Sequence, residues 1–238
     1  VFGEERRVGA ILLLLAGIAP LFGRPASAQT VDDVFPVEPA DGAVVGTRPR
    51  FSIGYKGTEL EKVRFKIELS ADGFQTIAET WDWREDRNGW ATAPFEEHPG
   101  AIYMTRKPIP DGVYQWRVYA WNGVEWVRGK RVHKLIVDGV PPAEVDRLQV
   151  NVDREKRSVV LEWAPVTVDR DGRPERVSLY HVYRYEKRSF FFVIRPFEIG
   201  TTETTRFEDT DPKALDSRLL FYKVTAEDEA GNEGGRNY

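Results

Sequence analysis

From about residue 50 onward, apolar and polar residues alternate with period two along much of the chain. Val63, Phe65, Ile67 and Leu69 alternate with Arg64, Lys66, Glu68 and Ser70. Tyr114, Trp116, Val118 and Ala120 repeat the pattern, as do Val160 with Glu162 and Tyr180, Val182 and Arg184 with their neighbours. Successive side chains of a strand face opposite ways, so these runs predict half-buried strands with one apolar and one wet face. Helical periodicity is almost absent. The turn pairs Asp41-Gly42, Asp72-Gly73, Asn88-Gly89, Asp111-Gly112, Asn122-Gly123, Asp171-Gly172 and Gly231-Asn232 punctuate the runs. Many short strands at such spacing predict an antiparallel sandwich or barrel.

The pattern repeats. Arg50–Ile53 matches Val160–Trp163, Val63–Ile67 matches Tyr180–Arg184, and Tyr114-x-Trp116-x-Val118-x-Ala120 matches Leu220-x-Tyr222-x-Val224-x-Ala226. The period of about 105 residues is the size of one seven-stranded sandwich. Asp138-Gly139-Val140-Pro141-Pro142 lies between the copies. Its two prolines remove backbone donors and predict a short, semi-rigid linker.

Residues 6–28 lie before the alternating region and read differently. Arg6 and Arg7 precede the apolar run Val8–Phe22, and Ala26-Ser27-Ala28 follows with small residues where a signal peptidase needs them. The run is roughly 15 residues, short of the about 20 needed to cross a bilayer. The expectation is therefore a signal peptide over 1–28, a first sandwich over 29–139, a second over 140–238, and no membrane span in the mature chain.

Composition narrows the chemistry. In 238 residues there is no cysteine, which removes disulfides, thiolate metal sites and cysteine nucleophiles. The net charge of −4 argues against nucleic acid as a partner. No Asn-x-Ser/Thr acceptor occurs, which favours a bacterial envelope or extracellular setting.

The second half resembles a bacterial fibronectin type III domain. The resemblance is carried by Pro141-Pro142, Trp163, Tyr180–Arg184, Phe207-Glu208-Asp209-Thr210, Phe221–Ala226 and Ala230–Glu233. The first half resembles a more distant member through Pro39–Gly42, Arg48–Ser52, Asp111–Val118 and Trp121-Asn122-Gly123. The resemblance implies two tandem fibronectin type III, immunoglobulin-like β-sandwiches acting as binding modules, spacers or accessory domains. It also implies a tyrosine whose hydroxyl fixes a strand corner. Tyr114 holds that place in the first copy, and Leu220 replaces it in the second. Ile53 replaces the usual core tryptophan in the first copy, and after Gly231-Asn232 the second copy leaves room for only a stunted last strand.

No catalytic constellation emerges, and no enzyme activity, cofactor or metal is expected. His98, His133 and His181 show no ligand-like pairing, and Asp169-Arg170-Asp171-Gly172 reads better as a polar turn than as the start of a calcium loop. Glu96-Glu97-His98 is the densest acid/base group, in a loop beside Asp82, Glu85 and Asp86.

The aromatic residues carry the functional expectation. Six of seven tryptophans are in the first half: Trp81, Trp83, Trp90, Trp116, Trp121 and Trp126. Trp116 has core phase, whereas Tyr119 and Trp121 fall on the opposite face beside Arg117. Exposed rings anchor protein interfaces and stack on sugars. Tyr119, Trp121, Trp126, Trp81, Trp83 and Trp90 are therefore candidate binding residues. The plainer reading packs them beneath the segment from Trp81 to Thr105, a long loop or lid with one short strand near Ile102–Arg106. Phe190-Phe191-Phe192, between Lys187-Arg188 and Arg195-Pro196, is a second candidate, as a sticky edge or a capped hairpin tip. The expected function is a non-catalytic exported module, periplasmic, surface-bound or extracellular, that binds a protein partner. The alternatives are a carbohydrate-binding module for a polysaccharide and an accessory subunit of a secreted hydrolase system.

Overall fold

The structure is a computed structural model describing residues 33–57, 60–94, 99–186, 196–216 and 220–235. The leader expected over residues 1–28 lies outside the described residues, as do Glu96-Glu97-His98 and Phe190–Phe192. The described residues form β1 (Val34–Glu38), β2 (Ala43–Val45), β3 (Arg50–Tyr55), β4 (Arg64–Ser70), β5 (Glu79–Asp82), β6 (Trp90–Pro94), β7 (Pro99–Met104), β8 (Gly112–Trp121) and β9 (Trp126–Val137). They continue with β10 (Gln149–Asp153), β11 (Ser158–Glu162), β12 (Val177–Glu186), β13 (Phe197–Thr202), β14 (Arg206–Asp209), the single helical turn α1 (Lys213–Asp216), β15 (Leu220–Asp228) and β16 (Glu233–Gly234).

The strands make two pairs of sheets. In the N-terminal half the orders are β1-β3-β7-β6 and β2-β9-β8-β4-β5; in the C-terminal half they are β10-β11-β14 and β13-β12-β15-β16. Every named pairing is antiparallel except the short β2–β9 ladder. The sequence repeat is a topological repeat: β3 and β11, β4 and β12, and β8 and β15 hold equivalent central places.

Each half has its own core, as period-two strands require. Phe65, Ile67 and Leu69 of β4 and Trp116, Val118 and Ala120 of β8 meet Phe51, Ile53, Ala101 and Tyr103 of the facing sheet. Val159, Leu161, Trp163, Tyr180, Val182, Val224 and Ala226 form the second core. The corner bond implied for Tyr114 is present, with its hydroxyl donating to the Pro110 carbonyl at 3.0 Å. In the C-terminal half a buried ion cluster lies beside the core. Arg184, pointing inward from β12, donates to Asp209 at 2.8 Å and Asp211 at 2.7 Å, and the Tyr222 hydroxyl joins Asp209 at 2.8 Å.

The segment from Trp81 to Thr105 departs from expectation. It is not a lid with one strand near Ile102–Arg106. It folds as β6 and β7, and β7 inserts between β3 and β6 to widen the first sheet. Its acidic and proline content hides this, because the pairing is supplied by β3, some 50 residues away in sequence.

Between the halves the linker is tied down. Gly139 donates its N–H to Asp111 at 2.9 Å, Arg170 donates to the Pro141 carbonyl at 3.0 Å, and Asn232 donates to the Asp138 carbonyl at 3.0 Å. Asp169–Gly172 is the expected turn, with Gly172 at φ 81° and the Asp169 carboxylate accepting the Arg173 N–H at 2.8 Å.

Candidate functional site

Alternation on β4, β5 and β8 sends one set of residues into the core and the other onto the outer face of the five-stranded sheet. On that face Glu68 is the centre. Its carboxylate accepts from Lys66 at 2.7 Å, from Arg117 Nη2 and Nε at 2.7 and 2.9 Å, and from the Tyr119 hydroxyl at 2.7 Å. Burial disfavours its charge, but the hydrogen bonds from Lys66, Tyr119 and Arg117 outweigh this and hold the carboxyl below its ordinary value. Burial, with the bond to Glu68, pushes the Tyr119 phenol up to about 12.

Cations and rings then alternate across the sheet. The Arg117 guanidinium lies 3.9 Å from the Phe74 ring centroid and 5.5 Å from Tyr119. The Lys66 ammonium lies 4.0 Å from Tyr119 and 5.5 Å from Trp126. Arg84 sits 4.6 Å from Trp121 and 4.8 Å from Trp126, and these two rings meet edge to face at 5.5 Å. Such contacts are worth roughly 0.5–2 kcal/mol each, the larger values where water is excluded. Arg84 is steered by Asp82, which accepts its backbone N–H at 2.9 Å and its guanidinium at 3.1 Å.

The loop between β4 and β5 places Phe74. Asp72 accepts the N–H and hydroxyl of Thr76, at 2.9 and 2.7 Å, and the hydroxyl of Ser70, and these bonds hold its carboxyl at about 2. The Ser70 oxygen in turn accepts the Phe74 N–H at 2.8 Å. Phe74 is thereby held at φ 68°, a left-handed conformation uncommon for a bulky residue. The result lays its ring against Arg117.

The structure divides the nominated aromatics. Tyr119, Trp121 and Trp126 come together on the outer face, half-buried. Trp81, Trp83 and Trp90 do not join them. Trp90 is only 8% exposed, and Trp81 and Trp83 pack against the first core. They form a chain of ring contacts, Phe51–Trp81–Tyr103–Trp90–Trp83–Phe65, with centroid separations of 4.9–6.1 Å. The reason lies in the phase of Trp81-Asp82-Trp83-Arg84: the tryptophans turn inward and the charges outward. That alternation is readable in sequence, but it needs β5 to be recognised as a strand.

Of the described histidines, His133 bonds through Nδ1 to the Pro39 carbonyl and packs edge-on against Trp116. His181 lies between Glu227 at 2.8 Å and Glu198 at 3.2 Å. Burial lowers its pKa, and the two carboxylates outweigh that and raise it. Sequence spacing gave no sign of one acidic cluster. Asp138, Glu175 and Asp228 bring carboxylate oxygens within 4.8 Å of one another at the junction of the halves. Burial and the neighbouring Asp138, Asp228 and Asp169 raise the Glu175 carboxyl. Three such oxygens are the donor type that hard cations take. Here Asn232 already donates its N–H and Nδ2 to Asp228, and Val140 donates to Asp138.

No protein-family model matches the chain, and no curated protein does. Solved structures do match. One, described as the chicken CNTN1 FN1–FN3 domains, superposes with a TM-score of 0.47 at 14% identity, covering 82% of this chain. The aligned part is 62% of that chain, so this protein spans less than two thirds of its length. Among the described residues no helix is long and apolar enough to cross a membrane.

Proposed function

We propose that this chain is an exported, non-catalytic module of two tandem sandwiches, divided at residues 139/140, that docks an acidic protein surface in the bacterial envelope or outside the cell. The docking surface is the outer face of β4, β8 and β9 with the residue Arg84. The observation that carries this reading is the ladder itself. Lys66, Arg84, Arg117 and Arg128 share a face with the carboxylates of Glu68 and Asp82, on a protein of net charge −4. Arginine and half-exposed aromatic rings are the residue types that dominate binding energy at protein interfaces. Prior ordering by Glu68 and Asp82 lowers the entropy lost when a partner engages them.

The ladder also weighs against a polysaccharide. Sugar stacking uses a free ring face, and Tyr119, Trp121 and Trp126 each already carry a cation over one of their two faces, which leaves less ring surface for it.

The test is retention of an acidic envelope or secreted protein of the source cell by the immobilised full chain, against the double variant Arg84→Glu/Arg128→Glu. Arg84→Glu gives up the bond to Asp82 and the contacts with Trp121 and Trp126, so both proteins are compared at a temperature below both melting points, with folding checked by circular dichroism. Loss of the partner in the variant, and weakening with added salt, is the expected result. Equal retention by both proteins would overturn the reading. Retention on a polysaccharide matrix that Trp121→Ala abolishes would replace it with the carbohydrate alternative.

A further inference from the structure

We propose that the cavity between β5 and the Arg106–Ile109 segment after β7 binds a guanidinium group, the head of an arginine side chain or of free arginine. The cavity is about 340 Å³, and its lining includes Trp81, Tyr103 and Ile109 with Glu79, Asp86 and Lys107. Small-molecule sites run to roughly 300–1,000 Å³, so it is large enough for such a group and its stem. Every residue lining it is among those described. It lies at the Trp90–Tyr103 end of the β6–β7 ladder, whereas residues 95–98 follow the Pro94–Pro99 end. The first strand, β1, holds the opposite edge of that sheet, and β16 belongs to the other half.

Glu79 gives the cavity its chemistry. Directly opposed residues of paired strands share a face. Glu79 pairs with Leu69 and Trp81 with Ile67, and both partners are fully buried in the first core. Glu79 is therefore an acid in the core-facing phase of an edge strand, in step with the half-buried Trp81. Among the described residues its carboxylate accepts no hydrogen bond and joins no ion pair. Its charge nevertheless reaches inward. Burial and Asp86 push the Tyr103 phenol up to about 12, with Glu79 adding to the rise, and burial, Asp111 and Glu79 together raise the Tyr114 phenol. Tyr103 and Ile109 are each 2% exposed, so the floor beneath this negative potential is buried ring and aliphatic surface. A carboxylate over such a floor is the complement of a cation on an apolar stem.

The cavity already holds one pair of the proposed kind. The Arg106 guanidinium lies 3.5 Å from Asp86, and the Tyr103 hydroxyl donates to the same carboxylate at 3.3 Å. Glu79 is a second carboxylate without its cation. A guanidinium can set two parallel N–H bonds on one carboxylate and is weakly hydrated, whereas an ammonium gives up its water at greater cost. Lys107, which has no ion-pair partner among the described residues, offers a cation to the carboxylate of free arginine. An inward charge on an edge strand also discourages pairing with another sheet, a role that needs no ligand.

The test uses the full chain and three blocked amino acids: Nα-acetylarginine amide, its citrulline counterpart, which has nearly the same shape without the charge, and its lysine counterpart. NMR follows the Trp81 indole and the Ile109 amide. The arginine probe is expected to shift both signals saturably and to leave the indole of Trp163, in the other half, unchanged. The citrulline probe should shift neither, and the lysine probe should bind more weakly. Glu79→Gln, at an exposed position, should weaken the arginine probe about tenfold. If that variant fails to fold, the citrulline comparison still decides the matter. Tighter binding of free arginine than of the blocked probe assigns the site to the amino acid, held also by Lys107, and the reverse order assigns it to an arginine side chain of a polypeptide. The proposal falls if the arginine probe moves neither signal or moves them without saturation, if either counterpart binds as tightly, or if folded Glu79→Gln binds as the parent does. Any of these results would leave Glu79 with edge protection alone.

Discussion

Removing the Glu68 carboxylate is the sharpest single perturbation of the outer face. The side chains of Lys66, Glu68 and Arg117 are 15%, 11% and 16% exposed, so the cluster is largely shielded from solvent. Taking one partner from a buried ion pair costs about 3–5 kcal/mol, because the opposite charge stays behind uncompensated. In Glu68→Ala the stranded cations keep their rings, Tyr119 under Lys66 and Phe74 under Arg117. Each ring contact offsets roughly 0.5–1 kcal/mol. The expected net loss is therefore about 1–4 kcal/mol, on the order of 15 °C in melting temperature at the middle of that range for a unit of about 100 residues. Six of the seven tryptophans are in this half, so intrinsic fluorescence in a denaturant titration reports its unfolding selectively. Glu68→Gln, which keeps an acceptor but not the charge, should fall about midway. The pH dependence has a fixed sign. A carboxyl held below its ordinary 4.5 contributes stability that is complete above that pH and is lost as pH falls through the depressed value. Glu68→Gln should therefore show a shallower acid limb than the parent. A loss under about 0.5 kcal/mol for Glu68→Ala, the scale of an exposed surface pair, would refute the reasoning.

Three further outcomes follow from the same geometry. Asp209→Ala should cost about 1–3 kcal/mol, because Arg184 and the Tyr222 hydroxyl lose a buried acceptor while Arg184 keeps Asp211, whereas Arg184→Met combined with Asp209→Leu should come close to the parent in equilibrium unfolding. Trp116→Ala, fully buried, should cost about 3–5 kcal/mol, while Trp121→Ala, which loses Arg84 and an edge contact with Trp126, should cost about 1–2 kcal/mol; equal melting temperatures for the two would contradict the assignment of faces. The raised pKa of His181 makes its contribution complete below pH 6.5 and lost as pH rises through the raised value, so melting temperature measured from pH 5 to 9 should decline over that range in the parent and flatten in His181→Gln.

The choice of two-sheet sandwiches came from the family resemblance; the period-two pattern was enough to give an antiparallel sandwich or barrel and the internal repeat, because alternation is a local property of each strand. It also gave the phase of β8, with Trp116 inward and Tyr119 and Trp121 outward. It did not give β6 and β7. They are short, rich in small residues and proline, and set among acids, so they show no clear alternation; they are strands because β3 offers an edge to pair with. β5, the turn that follows it and β6 place Trp81, Trp83 and Trp90 against the core, as the plainer reading of those rings expects, although they do so as part of the sheets rather than beneath a lid.

The candidate site divides along the same line. Sequence alone determined that the given chain is a cysteine-free repeat of strands held by apolar packing, with tryptophans clustered in its first half. Only the tertiary structure decided that Glu68 gathers Lys66, Arg117 and Tyr119 and that Arg84 crosses to Trp121. Each of these joins residues from different parts of the sheet, 37 to 51 positions apart in the chain for the contacts beyond β4. Pairing register sets such contacts, and register depends on which edges are free and which faces are buried, properties of the assembled sheets rather than of any one segment.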